Sequence, residues 1–352
     1  MSLLTCSVRR TEGPYPSVAF DRRRGAPRRC TLGPMIDDQS AAPDEAAVRR
    51  RDGTVCVGVD GSRASQRAVL WGAVEARLRQ APLLLAHVEL VATDSLGANA
   101  REVSGELLLA VGAKAAVDLE PDIDVRTELI TGSSIRAGLV ELTRRCMVLA
   151  LGIDLTRPRA THGALGPIED YVAVHADCPV VMVAPASFVA PGARTQVTVG
   201  WSEGFNARLA LAAAAEEAHL RGAVLSIVSV PPVRDPRLDG IVPTPDHESA
   251  LIDAVADLED RHPGLRIDIA HRTGDVTAAL SAMSALSELF VLGSHHSSKP
   301  WSIRTGPVAE ALMRDGHCPV MLVGRRAKKG TDRPTGQSVR GRQDPSSSQT
   351  RR

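Results

Sequence analysis

Between residues 54 and 323 the chain alternates short, nearly unbroken apolar runs with longer, Ala-rich segments of helical period. The apolar runs predict strands over 54–60, 83–90, 124–130, 147–152 and 179–184, then over 196–201, 224–230, 265–271, 289–293 and 319–323. The segments between them predict helices over 64–80, 99–118, 133–145 and 166–175, then over 206–221, 246–260, 275–286 and 306–315. Strand runs without polar interruption belong in a sheet covered on both faces. Strict alternation of strand and helix builds a parallel, doubly wound α/β sheet.

The pattern occurs twice. Thr54–Ser62 reads TVCVGVDGS and Gln196–Gly204 reads QVTVGWSEG. Cys178–Pro185 reads CPVVMVAP and Cys318–Gly324 reads CPVMLVG. Val57 and Val199 are 142 residues apart, and Cys178 and Cys318 are 140 apart. An offset held this constant at both ends marks two copies of one domain. The expected organisation is a first domain over 53–185, a linker over 186–195 and a second domain over 196–325. Each domain carries a five-stranded parallel sheet flanked by helices. The ends, 1–52 and 326–352, are polar and of low complexity, so they are expected to be disordered. Met35 offers an alternative start to Met1.

Composition narrows the function. Aromatic residues make up 3%, which disfavours base-stacking recognition of single-stranded nucleic acid. The net charge of +1 hides a polarity: +3 over 1–52, +7 over 325–352 and −9 between. The basic tail suits a solubilising role or weak, salt-sensitive contact with nucleic acid; specific recognition is not expected. No apolar run approaches the ~20 residues of a membrane-spanning helix, and the start lacks a signal-peptide core. The six cysteines show no metal-ligand spacing. A cytoplasmic protein with reduced thiols and no structural metal is expected.

Ligands of doubly wound sheets bind beyond the carboxyl ends of the strands, where the strand order reverses. The first strand ends at Asp60-Gly61-Ser62. There a carboxylate could accept from an adenine amino group or a ribose hydroxyl, or it could cap the next helix. The matching position in the second copy is Ser202, which has no charge and follows Trp201, a ring able to cover a pocket. The loops after the fourth strands, Gly152–Pro167 and Gly293–Pro307, both end in Gly-Pro before a helix. They carry Arg157, Arg159 and His162 in one copy, and His295, His296, Lys299 and Arg304 in the other. Such loops suit phosphate at a helix N-terminus, or are simply basic and solvated. His295-His296 lacks an evident third ligand, and no nucleophile–base arrangement or lysine-bearing P-loop is visible.

These motifs together, VGVDGS at the first strand, a glycine loop after the fourth and CPV at the last, resemble the universal stress proteins. The resemblance covers about 53–325 and leaves out both tails. It implies adenosine contacts at Val59, Asp60 and Val88. It also implies phosphate contacts in a loop of pattern G-x2-G-x9-G-[S/T]. Carried over, the loop glycines are Gly152 and Gly166 in the first copy and Gly293 and Gly306 in the second. Both loops depart from the pattern. His296 and Leu155 replace the middle glycine, Pro167 and Pro307 replace the hydroxyl residue, and the first loop is one residue too long. Each loss weakens phosphate binding by about 1–2 kcal/mol.

The resemblance therefore implies a cytoplasmic stress-response regulator that is not an enzyme or at most hydrolyses ATP weakly. Its first domain would bind ATP or another adenine nucleotide, with metal present only as nucleotide-associated Mg, and its second domain is degenerate. The alternative is a non-nucleotide-binding module for interaction and oligomerisation. Expected contacts are pairing of the two copies through their terminal strands and association with further copies of the chain. An adenine-nucleotide hydrolase of the same fold is the weakest rival, because no catalytic constellation supports it.

Overall fold

A computed structural model of the protein describes residues 53–90, 98–155, 166–185, 194–201, 205–229, 245–272, 274–293 and 306–324. Both tails, most of the linker and the inner parts of the two glycine loops lie outside the described residues.

The first half runs β1 (Val55–Gly58), α1 (Arg63–Arg79), β2 (Leu83–Leu90), α2 (Ala98–Leu119), β3 (Val125–Gly132), α3 (Ile135–Leu142), β4 (Val148–Gly152), α4 (Pro167–His175) and β5 (Val180–Val183). The second runs β6 (Gln196–Trp201), α5 (Phe205–Arg221), β7 (Val224–Ser229), α6 (Pro245–Arg261), β8 (Ile267–His271), α7 (Val276–Ser284), β9 (Leu289–Gly293), α8 (Pro307–Asp315) and β10 (Val320–Val323).

Each half is a five-stranded parallel sheet, and the two join into one ten-stranded sheet of order β3-β2-β1-β4-β5-β10-β9-β6-β7-β8. Pairing is parallel throughout except at the seam, where β5 and β10 run antiparallel with Met182 opposite Val320 and Val180 opposite Leu322. All four residues of each seam strand are buried.

Side chains alternate across the strands, so each strand feeds two cores. Val57, Leu85, Val148 and Ala150 pack with α1, α2, α5 and α6 on one face. Cys56, Ala86 and Leu149 pack with α3, α4, α7 and α8 on the other. Both cores contain residues of both halves.

Two helices end earlier than their apolar period suggests, for the same reason. The Thr143 hydroxyl donates to the Val140 carbonyl (2.6 Å) and accepts from the Asp177 N–H (2.9 Å). At the matching place the Ser284 hydroxyl donates to the Ser281 carbonyl (2.6 Å) and accepts from the His317 N–H (3.1 Å). A short hydroxyl side chain that bonds the preceding turn competes with continued helix. Here it also anchors the approach to the last strand.

Candidate functional site

In the first half the strand order reverses between β1 and β4, because the chain proceeds outward to β2 and β3 before α3 carries it back. The crevice at the carboxyl ends of β1 and β4 is the ligand position of this architecture.

The β1 lip is built by local hydrogen bonds. Val59 is buried; its N–H donates to the Ala86 carbonyl at 2.8 Å. Asp60 is exposed, and its carboxylate accepts the Ser62 N–H at 2.9 Å. Gly61 sits at φ 79°, a left-handed conformation that favours glycine. Ser62 then caps α1, its hydroxyl accepting the Ser65 N–H at 3.1 Å. The first turn of α1 holds no acidic residue, and the carboxylate beside its positive end is that of Asp60, on the N–H of the capping Ser62.

The β4 lip meets that helix end directly. A Cβ on Gly152 would fall far inside contact distance of the Ala64 carbonyl, and next to the Ser65 nitrogen. The glycine is therefore demanded by strand-on-helix packing, whatever ligand is present. Gly293 repeats the device: a Cβ there would lie 2.6 Å from the Asn206 carbonyl oxygen.

Two residues not singled out from sequence complete the first site. His87, on β2, uses Nδ1–H to donate to the Val59 carbonyl at 2.6 Å. Arg67, one turn into α1, donates from a terminal guanidinium nitrogen to the Ile153 carbonyl at 3.1 Å, tying the helix to the start of the glycine loop. His87 was hidden inside an apolar run. The available signal was the mismatch between copies: at the 142-residue offset, His87 and Arg67 face Ser229 and Leu209.

The remaining candidates are placed as follows. The Val88 side chain belongs to the core on the α3 face, opposite that of Val59, so the two valines do not share a wall. Val88 is nearly as buried as Val59, at 7% and 6% exposed. Gly166 and Gly306 are the N-caps of α4 and α8, at φ −75° and −66°, with Pro167 and Pro307 opening each helix. Neither glycine needs a positive φ, and proline at the first helical position breaks no helix bond. Leu155 packs against the α3-side core. The basic side chains from Arg157 to His162 and from His295 to Arg304 lie outside the described residues, as does Ser202.

The second crevice differs. Trp201 stands where the first half has Val59, is 4% exposed and packs into the core; its indole N–H has no hydrogen-bond partner among the described residues. Among the described residues, no group of three or more His, Cys, Asp or Glu could hold a metal ion. No described helix is long and apolar enough to cross a membrane.

A tandem doubly wound protein with its switch point at the ends of β1 and β4 is the class these features define. The model of the universal stress protein family matches residues 53–184 and again 195–324, and the chain belongs to that family. A universal stress protein of Mycobacterium tuberculosis (strain ATCC 25618 / H37Rv) is 29% identical over 290 residues, spanning 78% of this chain and 97% of the relative. The crystal structure of a universal stress protein from Archaeoglobus fulgidus DSM 4304 superposes with a TM-score of 0.62 at 15% identity, covering 78% of this chain and 97% of that one. A putative universal stress protein from Pseudomonas aeruginosa UCBPP-PA14 superposes with a TM-score of 0.50 at 16% identity, covering 79% and 95%.

Proposed function

We propose that this protein is a two-lobed universal stress protein whose first half binds an adenine nucleotide and whose second half does not. One observation carries the reading. In the first half Asp60, the acid-free first turn of α1 and the Gly152 approach meet at the switch-point crevice. The second half shares the acid-free helix turn and the glycine approach, but Ser202 stands in place of Asp60 and a buried tryptophan in place of Val59. Asp60 would accept from the adenine amino group or a ribose hydroxyl, and the α1 end would face the ligand's negative charge. Val59 and the Val88 backbone would border the base. Gly152 and Gly166 would bracket the phosphates. Gly293 and Gly306 keep their positions in the second half for packing and capping alone.

Pro167 and Leu155 replace a hydroxyl and a glycine of the phosphate pattern, so a ligand with fewer phosphates is preferred over ATP. The protein acts as a cytoplasmic regulator through nucleotide occupancy and is not an enzyme. The residue boundaries 53–185 and 196–325 define its lobes, with the β5–β10 seam making them an internal pseudo-dimer able to associate further with other copies.

A second reading is favoured by the Asp60 carboxylate already holding the Ser62 N–H. In that reading the crevice is structural and the protein is an interaction module. Thermal shift with ATP, ADP, AMP and cyclic AMP separates the two. A ligand at 100 times its dissociation constant stabilises by about 2.7 kcal/mol. The first reading expects a shift that Asp60→Ala abolishes. The second expects none with any nucleotide at millimolar concentration.

A further inference from the structure

Helices α1 and α5 approach one another across the seam, and each brings a Glu and an Arg one turn apart. Glu75 accepts from Arg79 within α1 (2.6 Å), and Glu217 accepts from Arg221 within α5. Between helices, Arg79 pairs with Glu217 and Arg221 pairs with Glu75. The four form a closed ring with alternating charge. Glu217 and Arg221 are the 142-offset counterparts of Glu75 and Arg79, so the ring has a local two-fold.

The ring is out of water: side-chain exposures are 1% for Glu75, 8% for Arg79, 3% for Glu217 and 3% for Arg221. Two further carboxylates come from the second half alone. Glu288 lies 3.3 Å from the Arg221 Nε, and Glu216 lies 3.9 Å from Arg79. Their first-half counterparts are Met147 and Val74.

Burying four charges is expensive, and a well-packed apolar patch of the same volume would hold two helices as firmly or more so. What the apolar patch lacks is direction. It tolerates sliding and wrong partners, whereas a buried ring with one charge out of place leaves an uncompensated ion.

We propose that this ring is the pairing code between the halves: it makes the α1 face of the first half accept the α5 face of the second in one orientation. The partner that the α1 face fits is therefore a helix presenting Glu and Arg at positions i and i+4, with added acid beside the arginine. In this chain that partner is its own second half. The seam strands β5 and β10, which pair over three residues, take their register from the ring.

The test uses the full chain and hydrogen exchange read strand by strand. Glu75→Arg combined with Arg79→Glu makes both cross-helix contacts like-charged. Protection of the β5 and β10 amides is expected to fall on the order of 100-fold, while β1, β2, β6 and β7 keep theirs. The reciprocal exchange, adding Glu217→Arg, Arg221→Glu and Glu288→Arg, is expected to restore β5 and β10 protection. Should the first variant unfold outright, recovery of native protection in the reciprocal variant supports the proposal equally. Unchanged β5–β10 protection in the first variant overturns it. So does a reciprocal variant that recovers nothing.

Discussion

The two halves share a skeleton and differ in what they hang on it. Both fold as five parallel strands with the same helix order, and both pack a glycine at the fourth-strand end against the first helix. Both end a helix with a hydroxyl bonded to the preceding turn. Both offer a Glu and an Arg to the ring. At the crevice they part: Val59, Asp60, Arg67 and His87 face Trp201, Ser202, Leu209 and Ser229 at the repeat offset.

They also part beneath the strands. Cys56 and Cys146 occupy the places of Thr198 and Ser287, while Cys178 is matched by Cys318. In the second half the two hydroxyls are hydrogen-bonded at 2.6 Å in a buried site. In the first, burial pushes the Cys146 thiol far above its ordinary value, with Cys178 and Cys56 beside it adding to the effect. Burial alone takes Cys318 up to about 12, against the opposing pull of Arg194. All four described thiols are buried and unbridged. The lesson is that features fixing the chain path are duplicated, while pocket chemistry and core filling vary freely on that path.

The largest single-residue effects should fall on the shared features. Glu75→Gln breaks a buried pair and is expected to cost about 3–5 kcal/mol at neutral pH, read by denaturant unfolding. Glu217→Gln should cost less, and the reason lies in the two carboxyls' surroundings. Burial raises both, but for Glu75 the guanidiniums of Arg221 and Arg79 outweigh it and hold the carboxyl low. For Glu217 burial, with Glu75 and Glu216 nearby, prevails and the carboxyl is raised. A lowered folded value means Glu75 contributes stability above the ordinary carboxylate range that is lost as pH falls through the folded value. A raised value means the Glu217 contribution is present below that range and is lost as pH rises. The gap between the two variants should therefore narrow as pH drops below the carboxylate range. A gap independent of pH would contradict this assignment of charge.

Gly152→Ala and Gly293→Ala test the duplicated packing. Each inserts a methyl against helix backbone, and a cost of about 1–3 kcal/mol is expected for both. Gly152→Ala should be the worse, because its clash with Ala64 is closer than that of Gly293 with Asn206. If only the first substitution destabilised the protein, the equivalence of the halves at this point would fail.

Comparable or smaller effects belong to features of one half. Ser287→Ala strips a buried partner from Thr198 and a donor from the Met283 carbonyl, for an expected cost of about 1–3 kcal/mol. Arg67→Leu installs the second half's residue in the first. It loses the bond to Ile153 and should cost about 0.5–1.5 kcal/mol in stability, while lowering nucleotide affinity. Melting curves with and without AMP separate the two consequences.

Most of the path was legible because buried strands and the repeat both leave strong apolar patterns. The crevice was only half legible. Asp60, Gly152 and Gly293 stand at strand ends and Gly166 and Gly306 at helix starts, where punctuation is visible. Val88 looked like an equal partner of Val59 until strand pairing put their side chains on opposite faces of the sheet. His87 was masked by the strand around it. The ring was not legible at all: a Glu and an Arg one turn apart on an Ala-rich helix look like an ordinary solvent-facing pair. Their burial follows only from the packing of one half on the other.

The central claim is that one half binds and the other does not. Calorimetric titration of the full chain with AMP tests it most directly, run beside Asp60→Ala and Trp201→Val. The account predicts one site per chain in the native protein, lost in Asp60→Ala and retained in Trp201→Val. Two sites per chain, or binding undiminished by Asp60→Ala, would contradict it.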